Sequence, residues 1–129
     1  NNFLMPKIVD HFKRKESVIQ LGNVDIWRDF SDVRWIVDSY VALLVCDDKR
    51  KQSNLKIVNL CSGQLVSIRE VIGFLQQLTE HSIEIEVDNK FVRPDDIRKQ
   101  CGSNQYLYTI APYLSKSLQI KETLRWMVG

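Results

Sequence analysis

The residues best suited to chemistry lie in one run, Phe91-Val92-Arg93-Pro94-Asp95-Asp96-Ile97-Arg98. Pro94 fixes its own φ and pushes Arg93 toward extended geometry, so the guanidinium is presented from a defined backbone. A guanidinium grips phosphate oxygens through two parallel, charge-assisted hydrogen bonds. Asp96, three residues on, is suited to accept from a pair of ribose hydroxyls. On these residues alone the run also reads as an exposed loop with a local Arg–Asp pair, because surface ion pairs are common and weak. A second arginine stands in Ile26-Trp27-Arg28-Asp29-Phe30-Ser31-Asp32-Val33-Arg34. Arg34 is expected to pair with Asp32, Asp38 or another structural carboxylate, and Arg98 to lie on the surface.

Catalytic patterns are missing. The five glycines sit at 22, 63, 73, 102 and 129, which leaves no phosphate-cradling glycine-rich loop. No tyrosine is followed four residues on by lysine, and neither a G-x-S-x-G elbow nor an H-E-x-x-H helix occurs. His11 and His81 are isolated, and Cys46, Cys61 and Cys101 have no CxxC spacing, so a zinc site is not expected. An odd number of unframed cysteines suits free thiols in a reducing compartment, and the expected location is cytoplasmic.

The elements that must position the two arginine segments follow from periodicity. Met5, Ile8, Val9 and Phe12 share one helical face, with Pro6 in the first turn and Lys13, Arg14 and Lys15 at the C-terminal end. A strand is predicted over Val18 to Leu21, closed by the Gly22-Asn23 turn, and a short extended piece over Ile26 to Phe30. Ser31 or Asp32 can cap the next helix, whose stripe of Ile36, Val37, Tyr40, Val41, Leu44 and Val45 is of the kind buried between layers. Asp47 to Asn54 reads as a charged loop, and Ile57 to Cys61 as a strand buried on both faces. Ser67 and Glu70 form a capping box ahead of a helix buried through Ile68, Val71, Ile72, Leu75 and Leu78. Ile83, Ile85 and Val87 alternate with Glu84 and Glu86 as a strand leading to the arginine turn. A short helix over Asn104 to Ile110 and a final one starting near Ser117 complete an α/β or α+β order.

The 129 residues suit one domain with a sizeable core. With 18 basic and 16 acidic side chains the net charge is +2, too even to favour nucleic acid or a membrane surface. Trp27, Phe30, Phe91 and Trp126 read as core residues, which argues further against a nucleic-acid face built on Arg28, Arg93, Arg98 and Lys49-Arg50-Lys51. No apolar run reaches the roughly 20 residues that span a bilayer. The chain starts at Asn1 without a methionine and reads like a piece of something longer.

Six segments in register carry a family resemblance: Pro6-Lys7-Ile8-Val9, Leu21-Gly22-Asn23, the Arg28 segment, Val58-Asn59-Leu60-Cys61-Ser62-Gly63, Ser67-Ile68-Arg69-Glu70 and Arg93-Pro94-Asp95-Asp96-Ile97. Together they resemble the C-terminal part of the extended short-chain dehydrogenase/reductases of the NAD-dependent epimerase/dehydratase type that act on nucleotide sugars. Arg28-Asp29-Phe30-Ser31-Asp32-Val33-Arg34 and Asn59-Leu60-Cys61-Ser62-Gly63 are more similar to the GDP-4-keto-6-deoxy-mannose reductase branch than to the GDP-mannose 4,6-dehydratases. The resemblance implies an α/β fold, with residues 1–129 forming a single substrate-binding domain. It places the Rossmann domain, NAD(P) and the Ser/Thr-Tyr-Lys catalytic set upstream of Asn1. This segment alone is then expected to be inactive, with no catalytic residue and no bound cofactor of its own. The resemblance puts Lys7 and Arg28 along a GDP-sugar, Arg28 and Arg93 at its diphosphate, Asp96 at the ribose, and Asn2 to Leu4 beside the guanine. It also implies apolar faces left open, to be covered by self-association or by the Rossmann half. A non-catalytic sugar-nucleotide-binding module is the competing reading.

Overall fold

A computed structural model describes residues 3–45, 57–92 and 95–129. Helix α1, Leu4–Lys13, has Pro6 as its third residue, within the first turn where a missing N–H costs nothing, and it buries Ile8, Val9 and Phe12. Its basic end is present as expected, with Arg14 paired one turn back to Asp10 at 2.9 Å. Strands β1, Val18–Leu21, and β2, Trp27–Asp29, follow, and then helix α2, Val33–Val45. Asp32 stands before α2 and accepts from the Arg34 N–H at 2.8 Å. Strand β3, Leu65–Ser67, runs straight into helix α3, Ile68–Thr79, across the capping box of Ser67 and Glu70. Strand β4, Glu84–Val87, leads through a single 3₁₀ turn at Asn89–Phe91 to the two-residue strand β5, Lys99–Gln100. Helices α4, Gln105–Ile110, and α5, Ile120–Val128, close the chain.

Two small sheets result. β1 pairs in parallel with β4, Val18 opposite Glu84 through Leu21 opposite Val87. β2 lies between β3, antiparallel, and β5, parallel, so Arg28 faces both Val66 and Gln100 in register. The apolar faces of α1, α3 and α5 close over β1, with Ile8, Phe12, Ile19, Ile68, Val71, Leu75 and Leu124 almost wholly buried. The fold is thus organised around β1 and β2, each clamped by strands from the second half of the chain.

Asp32 ties this core to the helices around it. Its buried carboxylate takes Nε and Nη2 of Arg34 at 3.0 and 2.6 Å and the Thr123 hydroxyl of α5 at 2.7 Å. The Arg34 hydrogen bonds hold its pKa far below the ordinary carboxylate range. The expected pairing of Arg34 with Asp32 is therefore what the structure has. Arg34 also lies over the Trp126 ring at 4.4 Å.

Several expectations are corrected. Residues 57–64 form no strand, and β3 begins only at Leu65. The chain bends here because Ser62 and Gly63 both turn their N–H groups onto Asp29, with Gly63 at φ +73°. Helix α5 starts at Ile120 rather than near Ser117, where Glu122 reaches back to the Gln119 N–H at 2.9 Å. The α2 stripe has the right period, but its outer side is open. Trp35, Ser39 and Ala42 are buried, while Val37, Tyr40, Val41, Leu44 and Val45 are exposed, Leu44 by 84%. Helical spacing marks a face as apolar without saying which chain covers it. Phe91 and Trp126 are exposed and not core residues. The Asp47 to Asn54 loop and Cys46 lie outside the described residues; Cys61 and Cys101 are free thiols.

Candidate functional site

A cleft of about 540 Å³ opens where α1, the end of β1, β2 and the segment after β4 meet. Leu4, Lys7, Gln20, Leu21, Gly22, Asn23, Ile26, Arg28, Phe91 and Asp96 line it. Four residues expected at a sugar nucleotide, Leu4, Lys7, Arg28 and Asp96, are thus brought to one cavity from three separate stretches of chain. The other two, Asn2 and Arg93, lie outside the described residues, as does the Lys49-Arg50-Lys51 run.

Each side chain has a local reason for its position. Lys7 sits on the second turn of α1, and its ammonium donates to the Gln20 carbonyl of β1 at 2.6 Å. The same ammonium lies 4.9 Å from the centre of the Phe91 ring. Arg28 occupies the middle of the central strand β2. Its Nη1 donates to the carbonyls of Trp27 and Ile97 at 2.9 and 2.6 Å, and its Nη2 meets Asp96 Oδ1 at 2.6 Å. Arg28 and Asp96, 68 positions apart, form an ion pair with about four-fifths of each side chain shielded from solvent. Asp96 thus has a long-range partner in Arg28, while the local pairing with Arg93 that the 93–96 run suggests lies outside the described residues. The effect of the Arg28 pairing is to hold the Asp96-Ile97 backbone against β2 and fix one wall of the cleft. Lys7 and Arg28 against Asp96 leave the described lining one positive charge in excess.

The opposite wall is set by backbone contact. Asp88 donates its N–H to the Leu21 carbonyl at 2.8 Å and caps the 3₁₀ turn by accepting from the Lys90 N–H at 2.9 Å. Phe91 donates back to the Asp88 carbonyl at 2.9 Å. Gly22 lies so close beneath this turn that a Cβ there would overlap the Phe91 carbonyl. Sequence reasoning missed Phe91, Gln20, Gly22 and Asn23 as lining residues. The Leu21-Gly22-Asn23 turn was the available signal, since a glycine at a strand end marks close backbone approach.

Behind the cleft, Asp29 fastens three segments together. Its carboxylate accepts from the Ser62 N–H and hydroxyl at 2.9 and 2.5 Å, the Gly63 N–H at 2.9 Å and the Gly102 N–H at 3.3 Å. Burial pushes its pKa up, but the hydrogen bonds from Ser62, Gly63 and Gly102 outweigh this and leave it below the ordinary value. Burial and the Asp29 charge push the thiols of Cys61 and Cys101 the other way, up. Such thiols are poor nucleophiles at neutral pH. Among the described residues no group of His, Cys, Asp and Glu can hold a metal ion, and no helix is long and apolar enough to cross a membrane.

The arrangement of this fold defines a class. In sequence and fold the chain matches the C-terminal part of the extended short-chain dehydrogenase/reductases of the NAD-dependent epimerase/dehydratase type. Among curated proteins it is similar to GDP-6-deoxy-D-talose 4-dehydrogenase from Aggregatibacter actinomycetemcomitans, 33% identical over 109 residues, covering 84% of this chain and 35% of the relative. GDP-6-deoxy-D-mannose reductase from Pseudomonas aeruginosa is 30% identical over 107 residues, covering 83% and 33%. Among solved structures, a proposed epimerase from Burkholderia cenocepacia J2315 superposes with a TM-score of 0.87 at 34% identity, over 98% of this chain and 40% of that one. The RMD protein of Pseudomonas aeruginosa in complex with NADPH gives 0.82 at 27%, again over 98% and 40%. The chain thus spans about a third of the length of the curated relatives it matches. No protein-family profile matches it.

Proposed function

We propose that these residues form the substrate-binding domain of an NAD(P)-dependent reductase acting on a GDP-4-keto-6-deoxyhexose, and that the cleft holds the GDP-sugar. The observation that carries the reading is the convergence of Lys7, Arg28 and Asp96 on one cavity. Two cationic groups suit a diphosphate, and Asp96, already oriented by Arg28, suits the ribose hydroxyls. Both curated relatives bear names of enzymes acting on GDP-6-deoxyhexoses, one written as a dehydrogenase and one as a reductase. This supports redox chemistry at a sugar carbon over the dehydratase alternative. Arg93, Asn2 and Leu4 keep their expected roles at the diphosphate and the guanine. The dinucleotide and the catalytic set are assigned to a Rossmann half outside these residues, since this sequence carries no glycine-rich turn for the cofactor's pyrophosphate. A cytoplasmic location goes with this reading.

Calorimetry with GDP tests it. The wild-type chain is expected to bind, and Arg28→Ala to weaken binding roughly tenfold or more, because a charge-assisted contact is worth about 1.5–3 kcal/mol. Indifference to GDP, combined with random-sequence DNA binding that weakens steeply with salt, would reject the reading.

The open side of α2 belongs to the same proposal, with the Rossmann half as its cover. Exposed Val37, Tyr40, Val41, Leu44 and Val45 on one helix, with Ile57 nearby in sequence, exceed the scattered apolar residues of an ordinary surface. Expressed alone, the 129-residue chain is expected to self-associate and to bind an apolar dye, and Leu44→Lys with Val41→Lys to abolish both. Sedimentation as a clean monomer at high concentration, without dye binding, would count against a covered face.

A further inference from the structure

Among the described residues Phe91 is the one large aromatic side chain in the cleft lining, and it is 55% exposed. Its ring is therefore half-open to solvent, and the backbone that carries it is fixed in place. The 3₁₀ turn is capped by Asp88, hydrogen-bonded to Leu21 and seated directly on Gly22. Lys7 is held in turn by the Gln20 carbonyl and covers part of the ring with its charge. A rigidly mounted, half-open ring beside two cationic groups fits a ligand with a flat end and an anionic end.

We propose that Phe91 is the stacking platform for the nucleobase, with the Lys7 ammonium held 4.9 Å from the ring centre, and that this makes the cleft favour purine over pyrimidine nucleoside diphosphates. The proposal rests on the reading that the cleft takes a nucleoside diphosphate. A purine offers a two-ring face where a pyrimidine offers one, so the preference scales with stacked area. In the same lining the Gln20 amide nitrogen donates to Glu86 at 3.2 Å and the Asn23 amide oxygen accepts from the Asp25 N–H at 2.9 Å, and the remaining positions of these amides suit a base edge.

The test is calorimetry on the full chain with GDP, UDP and inorganic pyrophosphate, for wild type, Phe91→Leu and Phe91→Trp. Wild type is expected to bind GDP more tightly than UDP. Phe91→Leu keeps an apolar side chain but removes the π-face. It is expected to weaken GDP roughly tenfold or more, as loss of one base-stacking aromatic does, and to leave pyrophosphate within twofold. Phe91→Trp is expected to restore GDP binding. Wild-type binding of GDP that Phe91→Leu leaves unaltered, or equal loss of GDP and pyrophosphate, would overturn the platform while leaving the cleft reading in place. Failure of wild type to bind either GDP or pyrophosphate would overturn both.

Discussion

Replacing Asp29 by alanine should cost the fold about 3 kcal/mol, the largest effect expected of any exchange around the cleft. The carboxylate takes two hydrogen bonds from Ser62, one from Gly63 and one from Gly102, and it is charged when it does so. Hydrogen bonds to a charged group contribute about 1.5–3 kcal/mol each, though bonds sharing one acceptor do not add. Alanine also leaves the N–H groups of Ser62 and Gly63 facing each other without an acceptor. In urea the midpoint is expected to fall by roughly 1–3 M. Asparagine would be little better, since its amide would point N–H groups at donors. The sign with pH follows from the depressed native pKa. The unfolded aspartate titrates near pH 4, so its contribution is complete above about pH 5 and is lost as pH falls through the native value. The gap between wild type and variant should therefore narrow in acid. Equal midpoints at pH 7, or a gap that persists unchanged at low pH, would show that Asp29 does not hold these segments.

Gly22→Ala is the second large effect, and it should separate stability from binding. The added methyl would strike the Phe91 carbonyl, which is backbone and cannot swing aside as a flexible side chain would. The turn at Asn89–Phe91 must lift from β1, stretching the Asp88 N–H bond to Leu21. Overpacking of this kind costs about 1–3 kcal/mol. Because the turn carries one wall of the cleft, GDP affinity should drop by more than tenfold even where the variant is fully folded. Gly73→Ala is the control, since a Cβ there meets open space and alanine is the better helix residue. Normal GDP affinity in folded Gly22→Ala protein would show that the close approach has no bearing on the site.

Much of the scaffold was legible because it is local. The α3 capping box, the α1 stripe, β1 and the short helix ahead of Pro112 each follow from a few neighbouring residues. The strands β3 and β5 were not legible: at three and two residues they show no alternation and exist only because β2 lies between them. Ile57 to Cys61 has the composition of a buried strand but bends where Asp29 captures Ser62 and Gly63. The α2 stripe is a true apolar face whose cover is not found among the described residues. At the cleft, Arg28 and Asp96 stand out in the sequence by residue type and by resemblance, and both line the cavity. The Arg28–Asp96 pairing was not, because nothing local relates residues 68 positions apart. Phe91 was misread as core, since an aromatic held outward by a tight turn looks in sequence like one buried inward.

The pairing of β1 with β4 and of β2 with β5 has a consequence for how the molecule is made. Each ladder joins residues more than sixty positions apart, so a long loop must close before its first hydrogen bond forms. The two closures meet at the cleft. A nascent chain that has released α1, β1 and β2 holds Lys7 and Arg28 but has no cavity, because the facing wall is still unsynthesised. Ligand recognition is thus absent, rather than weak, until residues near 96–100 have emerged. From that point any ligand that binds only the formed cleft stabilises the last step of folding as well as the finished protein.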